Sequence, residues 1–262
     1  MRILLTNDDG VDAPVLVPFA HALGRIGDVV VSVPDQERSW VGKAITRFED
    51  VVLDRVEREG VVLHTCSGYP ADAAQIGIHL LGAMPDLVVS GINLGFNHGA
   101  GFLMSSGTVG AAVEGWISGL PAVAFSTGEW GGDWAAWRQR VLDPSSRPEW
   151  DTLADTCTGI LEDLMATSLT SKADVVSINL PFDATLTTPR RLTSIARVGY
   201  GRLFEPAPQG RVRHAFSGLV EFEPIEGTDL AAAADAVVSI TPVSLPRAID
   251  VDEAIRRGVE RS

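Results

Sequence analysis

The chain has little positive charge. It contains 21 lysine and arginine residues against 34 aspartate and glutamate residues, which gives a formal net charge of −13 at pH 7. Proteins that hold nucleic acid through a basic surface need the opposite balance, so we expect no duplex nucleic acid as a partner. An anionic small molecule would need local help from a metal ion, from backbone N–H groups or from a few arginines.

Long apolar runs are also missing, and we expect no leader segment. No stretch of about 18 apolar residues occurs, so we expect no transmembrane helix. The N-terminus has no basic segment followed by a long apolar run, so we expect no signal peptide. The two cysteines, Cys66 and Cys157, do not have metal-binding spacing. These absences favour a cytoplasmic protein with two reduced thiols and no membrane contact.

Two common phosphate-binding motifs are absent as well. The sequence has no GxxxxGK[ST] loop, which excludes the usual NTPase phosphate loop. A glycine-rich loop at 91–101 has Gly-X-Gly spacing, but it is too long before the next helix to be a dinucleotide fingerprint. This disfavours a nicotinamide-dependent dehydrogenase.

What the sequence does contain is a series of short apolar runs separated by stretches with helical periodicity. The runs are too short for helices and predict buried strands. They lie at 3–5, 29–33, 86–89, 121–125, 175–181 and 236–242. Between the first two runs, Val15, Phe19 and Leu23 recur at helical spacing. The pattern predicts an α/β fold with a mostly parallel sheet and right-handed crossovers.

Two regions depart from this alternation. Stretches with strand character at 50–56 and 61–65, separated by a glycine-containing turn, predict a hairpin. Further short strands, typical of an antiparallel subdomain or arm, are predicted at 192–198, 212–216 and 219–224. We therefore divide the chain into a catalytic core, a β-rich extension, and a return strand with a terminal helix, at 1–188, 189–236 and 237–262.

Two adjacent carboxylates follow the first predicted strand. Asp8 and Asp9 belong to the turn-like stretch Asn7-Asp8-Asp9-Gly10. Ligands of open α/β sheets bind just beyond the carboxyl ends of the strands. Two neighbouring anions repel each other, so each needs a cation or a donor nearby to stay ionised. The alternative interpretation is an Asx-rich turn in which Gly10 supplies a positive φ.

Other strand ends carry oxygen donors. Ser39 follows the second predicted strand and Asn93 follows the third, although Ser39 alone is typical of a turn or an N-cap. Together with Asp8 and Asp9 they form a set of carboxylate and neutral oxygen ligands without histidine or cysteine. Hard divalent ions such as Mg²⁺ or Mn²⁺ select such ligands. We therefore expect one divalent metal ion, which would bind a phosphoryl oxygen and lower the pKa of a bound water.

Groups that suit an anion lie close to these donors in the predicted fold. The segment from Ser105 to Thr108 opens a helix of small residues, and hydroxyls with free N–H groups at a helix start favour an anion. Arg38, beside Ser39, could hold an anionic group. His98, on the glycine-rich loop, is a candidate general acid or phosphate donor, but a lone loop histidine is more often solvated, and we expect solvation here.

Taken together, these segments resemble the SurE family of survival-protein nucleotidases, which are metal-dependent phosphatases of nucleoside monophosphates. The matching segments cover most of the chain, at 3–10, 34–39, 68–72, 86–93, 106–112, 177–181 and 239–242. The resemblance implies a Rossmann-like core with helices on both faces of the sheet. It also implies a β-rich C-terminal extension used to form a homodimer or a homotetramer.

The resemblance assigns roles to individual residues. It implies a divalent metal held by four side chains, of which the two aspartates are also catalytic: Asp8, Asp9, Ser39 and Asn93. It further implies that the phosphate site is lined by the positions matching Asn97, Ser106, Gly107 and Thr108.

Several features depart from the family pattern. Trp40 stands where the family has a small residue, and it either stacks on a nucleobase or fills space; we expect the second. The loop before Ser106 is one residue longer than usual, with Gly101 near the place of an aspartate and Ser105 in place of an aromatic residue or histidine. Four of the six tryptophans lie at 130–150. That cluster predicts either a lid or subunit contact or a loop pinned to the surface by a few rings.

The function predicted from the sequence is hydrolysis of nucleoside 5′- or 3′-monophosphates to nucleoside and phosphate by a metal-activated water. One alternative is a nucleotide-binding module that has lost turnover. Another is a phosphatase with an aspartyl-phosphate intermediate on Asp8 or Asp9. The usual spacing for that chemistry separates two aspartates by one residue, and this sequence lacks it.

Overall fold

The computed structural model describes residues 1–260, and strands alternate with helices over most of that length. The strands are β1 Arg2–Thr6, β2 Asp28–Pro34, β3 Leu53–Arg58, β4 Val61–Cys66, β5 Leu87–Leu94, β6 Ala122–Gly128, β7 Val175–Pro181, β8 Arg190–Leu192, β9 Val198–Tyr200, β10 Phe204–Ala207, β11 Arg211–His214, β12 Leu219–Glu221 and β13 Val238–Val243. The helices are α1 Leu16–Leu23, α2 Pro70–His79, α3 Gly99–Ser105, α4 Gly107–Ile117, α5 Trp134–Val141, α6 Arg147–Met165, α7 Leu169–Lys172, α8 Asp229–Ala234 and α9 Glu253–Val259.

A nine-stranded sheet forms the centre of the described part of the chain, in the order β3-β4-β2-β1-β5-β6-β7-β13-β8. The six consecutive strands β4, β2, β1, β5, β6 and β7 of this order are parallel to one another. β3 is antiparallel to β4, which confirms the predicted hairpin, and β13 is antiparallel to β7. The predicted α/β fold with a mostly parallel, Rossmann-like sheet is confirmed.

The alternating direction of side chains along β1 explains how both faces of the sheet are covered. Ile3 and Leu5 belong to one apolar cluster, shared with Phe19 of α1 and several residues of α6. Leu4 points to the opposite face and belongs to a second cluster with Val109 of α4. Because successive residues of a strand face opposite sides, a continuous apolar run needs helices on both.

The strands of the predicted extension divide between two locations. β8 pairs in parallel with β13 and therefore belongs to the main sheet. β9 pairs with β12, and β10 pairs with β11, as two small antiparallel sheets beyond the core. Antiparallel strands are thus present in this region, as expected. The three-part division of the chain stays a prediction, and the last two residues of its third part, 261–262, lie outside the described residues.

Three of the four tryptophans of the segment 130–150 lie on helices: Trp134 and Trp137 on α5, and Trp150 on α6. α5 begins after Asp133, whose carboxylate accepts the N–H groups of Ala135 and Ala136 at 2.9 and 3.2 Å. Trp137 is buried on this helix, whereas Trp134 stays half exposed. One interpretation of the tryptophan cluster was a loop pinned to the surface, but an aspartate directly before a helix is a favoured N-cap.

Across residues 1–260 no helix combines the length and the apolar character needed to cross a membrane. Both cysteines are buried and unpaired as thiols. Burial raises the pKa of Cys66 to about 11 and also raises the pKa of Cys157. These thiols are therefore protonated near neutral pH and behave as small apolar side chains.

Candidate functional site

The loops that follow β1 and β2 are held together at the carboxyl edge of the sheet. Gly10 has a φ of +83°, and a Cβ at this position would lie 2.5 Å from the backbone carbonyl carbon of Gln36. The N–H of Val11 donates to the carbonyl of Pro34 at 3.0 Å. Asn7 closes the turn through two hydrogen bonds of 3.1 Å to the backbone of Gly10. The Asx turn is therefore present, and it fixes the adjacent carboxylates beside the second loop.

Asp8 is buried and is held by the start of α4. The hydroxyl of Thr108 donates to Asp8 Oδ1. A Cβ on Gly107 would lie 2.8 Å from the Cβ of Asp8, so only glycine allows the helix to begin this close to it. Burial raises the pKa of Asp8 from 3.8 to about 6, against the opposing effect of the Thr108 hydrogen bond. Thr108 is fully buried, so it positions Asp8 and does not itself face the cavity described below.

Asp9 lies beside Asp8. A larger fraction of its surface is exposed than is the case for Asp8. Its Oδ2 accepts the N–H of Leu94 at 2.9 Å. Burial, followed by the charge of Asp8, raises the pKa of Asp9. Each carboxylate therefore raises the cost of ionising the other, and a bound dication would remove that cost.

Asn93 reaches the same edge through an irregularity in β5. The pairing of β5 with β6 shifts register between Ser90 and Asn93. Gly91 lies within this irregularity, and a Cβ there would lie 2.3 Å from the carbonyl oxygen of Phe125. Bulges of this kind change the direction of the side chains that follow. The Nδ2 of Asn93 donates to the carbonyl of Gly95 at 2.6 Å, so its Oδ1 is the atom left for a cation.

Ser39 lies at the mouth of the site with two residues that the sequence reasoning missed. Its Oγ donates to Glu37 Oε1 at 2.8 Å, and Arg138 donates to Glu37 Oε2 at 2.6 Å. All three side chains line the same cavity. Glu37 stands in the loop of Ser39, but no role was assigned to it. Arg138 comes from α5, and the spacing of Trp134 and Trp137 could have predicted that helix.

The position of Arg38 corrects the prediction for that residue. Its Nη2 donates to the carbonyl of Ser67 at 2.8 Å and to Asp35 Oδ1 at 3.3 Å. Its backbone N–H donates to the carbonyl of Asp8 at 2.7 Å. The guanidinium is therefore directed away from the cavity that Ser39 lines, and the structure does not bring it to the predicted phosphate site.

One cavity of about 630 Å³ unites most of the predicted ligands. Asp8, Ser39 and Asn93 line it, although they follow three different strands. Among residues 1–260 no group of three or more His, Cys, Asp or Glu side chains is arranged to hold a metal. A cation here would therefore depend on the two adjacent carboxylates together with neutral oxygens, which is a donor set that suits Mg²⁺ or Mn²⁺. By this test, the residues present fit a hard dication.

Two of the residues expected at the phosphate site line this cavity as well. Ser106 is the N-cap of α4, and its Oγ accepts the N–H of Val109 at 3.0 Å. The 11-residue helix α4 therefore begins at the cavity, and the N-terminus of a helix favours an anion. Asn97 is fixed by hydrogen bonds of 2.7 Å from its N–H to Asn179 Oδ1 and from its Nδ2 to Ser126 Oγ.

His98 is buried, so the expectation that it is solvated is wrong. Its ring stacks on Phe96 with centroids 5.0 Å apart, and the ring of Trp130 lies 5.6 Å away. Burial lowers the pKa of His98 to about 4. The imidazole is therefore neutral near pH 7 and lines the cavity without adding charge to it. Phe96, two residues before His98, is a local signal of this burial, whereas Trp130 comes from a distant segment.

Comparison with known proteins gives one consistent result. A family model described as survival protein SurE matches residues 3–203. A protein named 5′-nucleotidase SurE from Methanoculleus marisnigri is 37% identical over 247 residues, which are 93% of this chain and 91% of that protein. One of the same name from Methanopyrus kandleri is 34% identical over 257 residues, or 97% and 95% of the two chains. The crystal structure of the SurE protein from Aquifex aeolicus superposes with a TM-score of 0.74 and 27% identity, covering 99% of this chain and 98% of that one.

Proposed function

Because the chain belongs to the SurE family, we propose that it is a metal-dependent nucleotidase that hydrolyses nucleoside 5′- or 3′-monophosphates to nucleoside and phosphate. The observation that carries this proposal is the shared cavity. Oxygen donors from the ends of β1, β2 and β5 face it together with the N-terminus of α4. A site for a hard cation and a site for an anion therefore adjoin, as a phosphate ester requires.

The cation would be held by two carboxylates and two neutral oxygens, from Asp8, Asp9, Ser39 and Asn93. When bound, it supplies a water of lowered pKa and neutralises charge on the phosphoryl group. The physiological metal, Mg²⁺ or Mn²⁺, is part of the same proposal.

The chain's own residues position the substrate and handle the proton. Ser106 and the first N–H groups of α4 hold phosphate oxygens, and Asn97 lies beside them. Arg138, which is paired with Glu37, is the arginine at the rim of the cavity, where Arg38 had been expected. One of the two carboxylates takes the proton of the attacking water as a general base.

The test is phosphate release from AMP by wild type, Asp9→Asn and Asp12→Asn, each with Mn²⁺, with Mg²⁺ and with EDTA. Asp12 is the matched control because it lies in the same loop and pairs at the surface with Arg58. We expect EDTA to abolish release. We expect Asp9→Asn to bind the metal at least about tenfold more weakly. Tenfold is the lower end of the loss seen when a residue that hydrogen-bonds a metal ligand is mutated.

Several outcomes would contradict this assignment. Full activity of Asp9→Asn would remove Asp9 from the site. Tight binding of AMP in calorimetry, with no hydrolysis under any divalent ion, would instead support the nucleotide-binding module. A trapped phosphoryl adduct on Asp8 or Asp9, detected by mass spectrometry, would support the aspartyl-phosphate mechanism.

Association into a homodimer or homotetramer through residues 189–236 belongs to the same proposal. Apolar side chains of this region are exposed in the single chain, including Phe204 at 55%, Val212 at 65% and Phe222 at 62%. Contiguous exposed apolar surface marks interaction sites. Light scattering after size-exclusion chromatography would give the oligomeric state, and a monomer at micromolar concentration would contradict the expectation.

A further inference from the structure

Trp40 is held in an unusual position directly after the candidate ligand Ser39. Its φ is +63°, a left-handed backbone conformation that a bulky residue rarely adopts. Nevertheless 42% of its surface is exposed, so burial of the side chain is incomplete. The backbone is therefore held in a costly conformation while a large part of the residue stays exposed.

The indole is supported by rings from three other parts of the chain, one of which is Tyr200 of β9 at 5.3 Å. The indole centroid also lies 5.6 Å from that of Phe102 on α3, 5.0 Å from that of His214 at the end of β11, and 6.1 Å from that of Phe216. Phe102 and Phe216 also contact each other, at 5.6 Å. We call Trp40, Phe102, His214 and Phe216 the aromatic wall. Its members fix one another, so the open face of the wall is preformed.

The aromatic wall lines the same cavity as Asp8, Ser39 and Asn93. A phosphate group and a metal ion use only the polar end of this cavity. The volume of about 630 Å³ leaves space beside the wall for the rest of the ester. Since an aromatic surface is stabilised by stacking against another flat ring, the cavity favours an ester that carries one.

His98 indicates that a polar ligand enters this part of the cavity. Both of its ring nitrogens are buried and have no hydrogen-bond partner among residues 1–260. Only 4% of the residue is exposed, and its ring lies 6.1 Å from Phe102 of the wall. Buried polar groups in folded proteins almost always have a partner, so an unpaired imidazole beside a cavity suggests one supplied from outside. A neutral imidazole can donate one hydrogen bond and accept one, as a heterocyclic base or a ribose hydroxyl requires.

We propose that the aromatic wall is the binding site for the nucleobase, that Trp40 is its main stacking residue, and that the enzyme therefore prefers purine nucleotides to pyrimidine nucleotides and to base-free sugar phosphates. This inference rests on the proposed nucleotidase function. Purines offer the larger ring face and so gain more from stacking. Trp40 thus both fills space and contacts substrate, whereas the sequence alone favoured only the first of these roles.

The test compares kcat/KM for AMP, CMP and ribose 5-phosphate in wild type, Trp40→Ala and Trp40→Phe. Stacking of one base on an aromatic side chain corresponds to roughly a 5- to 150-fold effect on alanine substitution. We expect Trp40→Ala to lose that factor for AMP, mainly in KM, so that the ratio of kcat/KM for AMP to that for ribose 5-phosphate falls. Trp40→Phe keeps a ring and is expected to retain most of the preference for AMP.

A second measurement separates this inference from the proposed function. Calorimetric binding of adenosine and of ribose, in EDTA, needs neither metal nor turnover. We expect adenosine to bind wild type, to bind Trp40→Ala at least about fivefold more weakly, and ribose not to bind either protein. Equal hydrolysis of AMP and ribose 5-phosphate by wild type would overturn the inference. So would unchanged adenosine affinity in Trp40→Ala, if circular dichroism shows that this variant is folded. Absence of all phosphate release with intact adenosine binding would overturn only the proposed function.

Discussion

The clearest quantitative prediction concerns Asp8→Asn, which we expect to be inactive yet more stable than wild type when no metal is present. Burial raises the pKa of Asp8 from 3.8 to about 6. At about 1.4 kcal/mol for each pKa unit, this corresponds to roughly 3 kcal/mol of destabilisation when the carboxylate is charged. Asparagine keeps an Oδ1 that accepts the Thr108 hydrogen bond, and it carries no charge. We therefore expect a gain of about 1–3 kcal/mol in the free energy of unfolding at pH 8.

The sign of the pH dependence follows from linkage. Between pH 3.8 and about 6 the folded chain binds more protons at Asp8 than the unfolded chain does. The contribution of Asp8 to stability therefore falls as pH rises through this window, and it is fully lost above it. The advantage of Asp8→Asn should accordingly be large at pH 8 and close to zero at pH 4. Urea denaturation in EDTA at both values measures it.

Asp229→Asn is the matched control, because Asp229 is buried but uses both of its oxygens. Oδ2 accepts the N–H of Gly99 at 2.8 Å, and Oδ1 accepts the N–H groups of Ala196 and Leu230 at 2.9 Å. An amide nitrogen would face at least one of these donors, so the free energy of unfolding of this variant should fall by about 1–3 kcal/mol.

Added Mn²⁺ should stabilise wild type by mass action and should stabilise Asp8→Asn less. If Asp8→Asn is less stable than wild type at pH 8 in EDTA, or if its gain is the same at both pH values, the account of Asp8 is wrong.

Two further predictions concern how α4 holds Asp8. A methyl group on Gly107 would lie 2.8 Å from Asp8 Cβ, and one on Gly115 would lie 2.7 Å from the Cγ2 of Val88, away from the site. Gly107→Ala and Gly115→Ala should each lower the free energy of unfolding by about 1–3 kcal/mol. Only Gly107→Ala should also lower kcat/KM, by about 100-fold. Equal activities of the two variants would contradict this. Thr108→Val removes a hydrogen bond that lowers the pKa of Asp8. The pH below which Mn²⁺ affinity falls should therefore be higher in this variant. An unchanged pH dependence of Mn²⁺ affinity would show that the Thr108 hydroxyl does not lower the pKa of Asp8.

Much of the fold was accessible from local pattern. Short apolar runs alternating with helical periodicity predicted the parallel sheet, and the carboxyl ends of parallel strands lie at one edge whatever the details of packing. This is why residues as far apart as Asp8, Ser39 and Asn93 could be expected together. The cavity they line confirms that they meet, while their roles as ligands stay a prediction.

The errors share a different origin. Arg38 is next to Ser39 in sequence, but its guanidinium binds Ser67, and the cation at the rim is Arg138, which is 101 residues from Glu37 along the chain. His98 was expected in solvent because it stands in a glycine-rich loop, yet its ring is buried between Phe96 of the same loop and Trp130, which is distant in sequence. In each case contacts with distant segments contribute to the side chain's environment.

The sequence by itself determined which backbone positions come to the edge of the sheet, because strand periodicity and the turn at Gly10 are local properties of the chain. Only the tertiary structure decided which side chains turn into the cavity and what surrounds them. Docking of α5 and of the strands around His214 onto the core supplies Arg138 and most of the surroundings of Trp40. Such long-range packing has no counterpart in any single stretch of sequence.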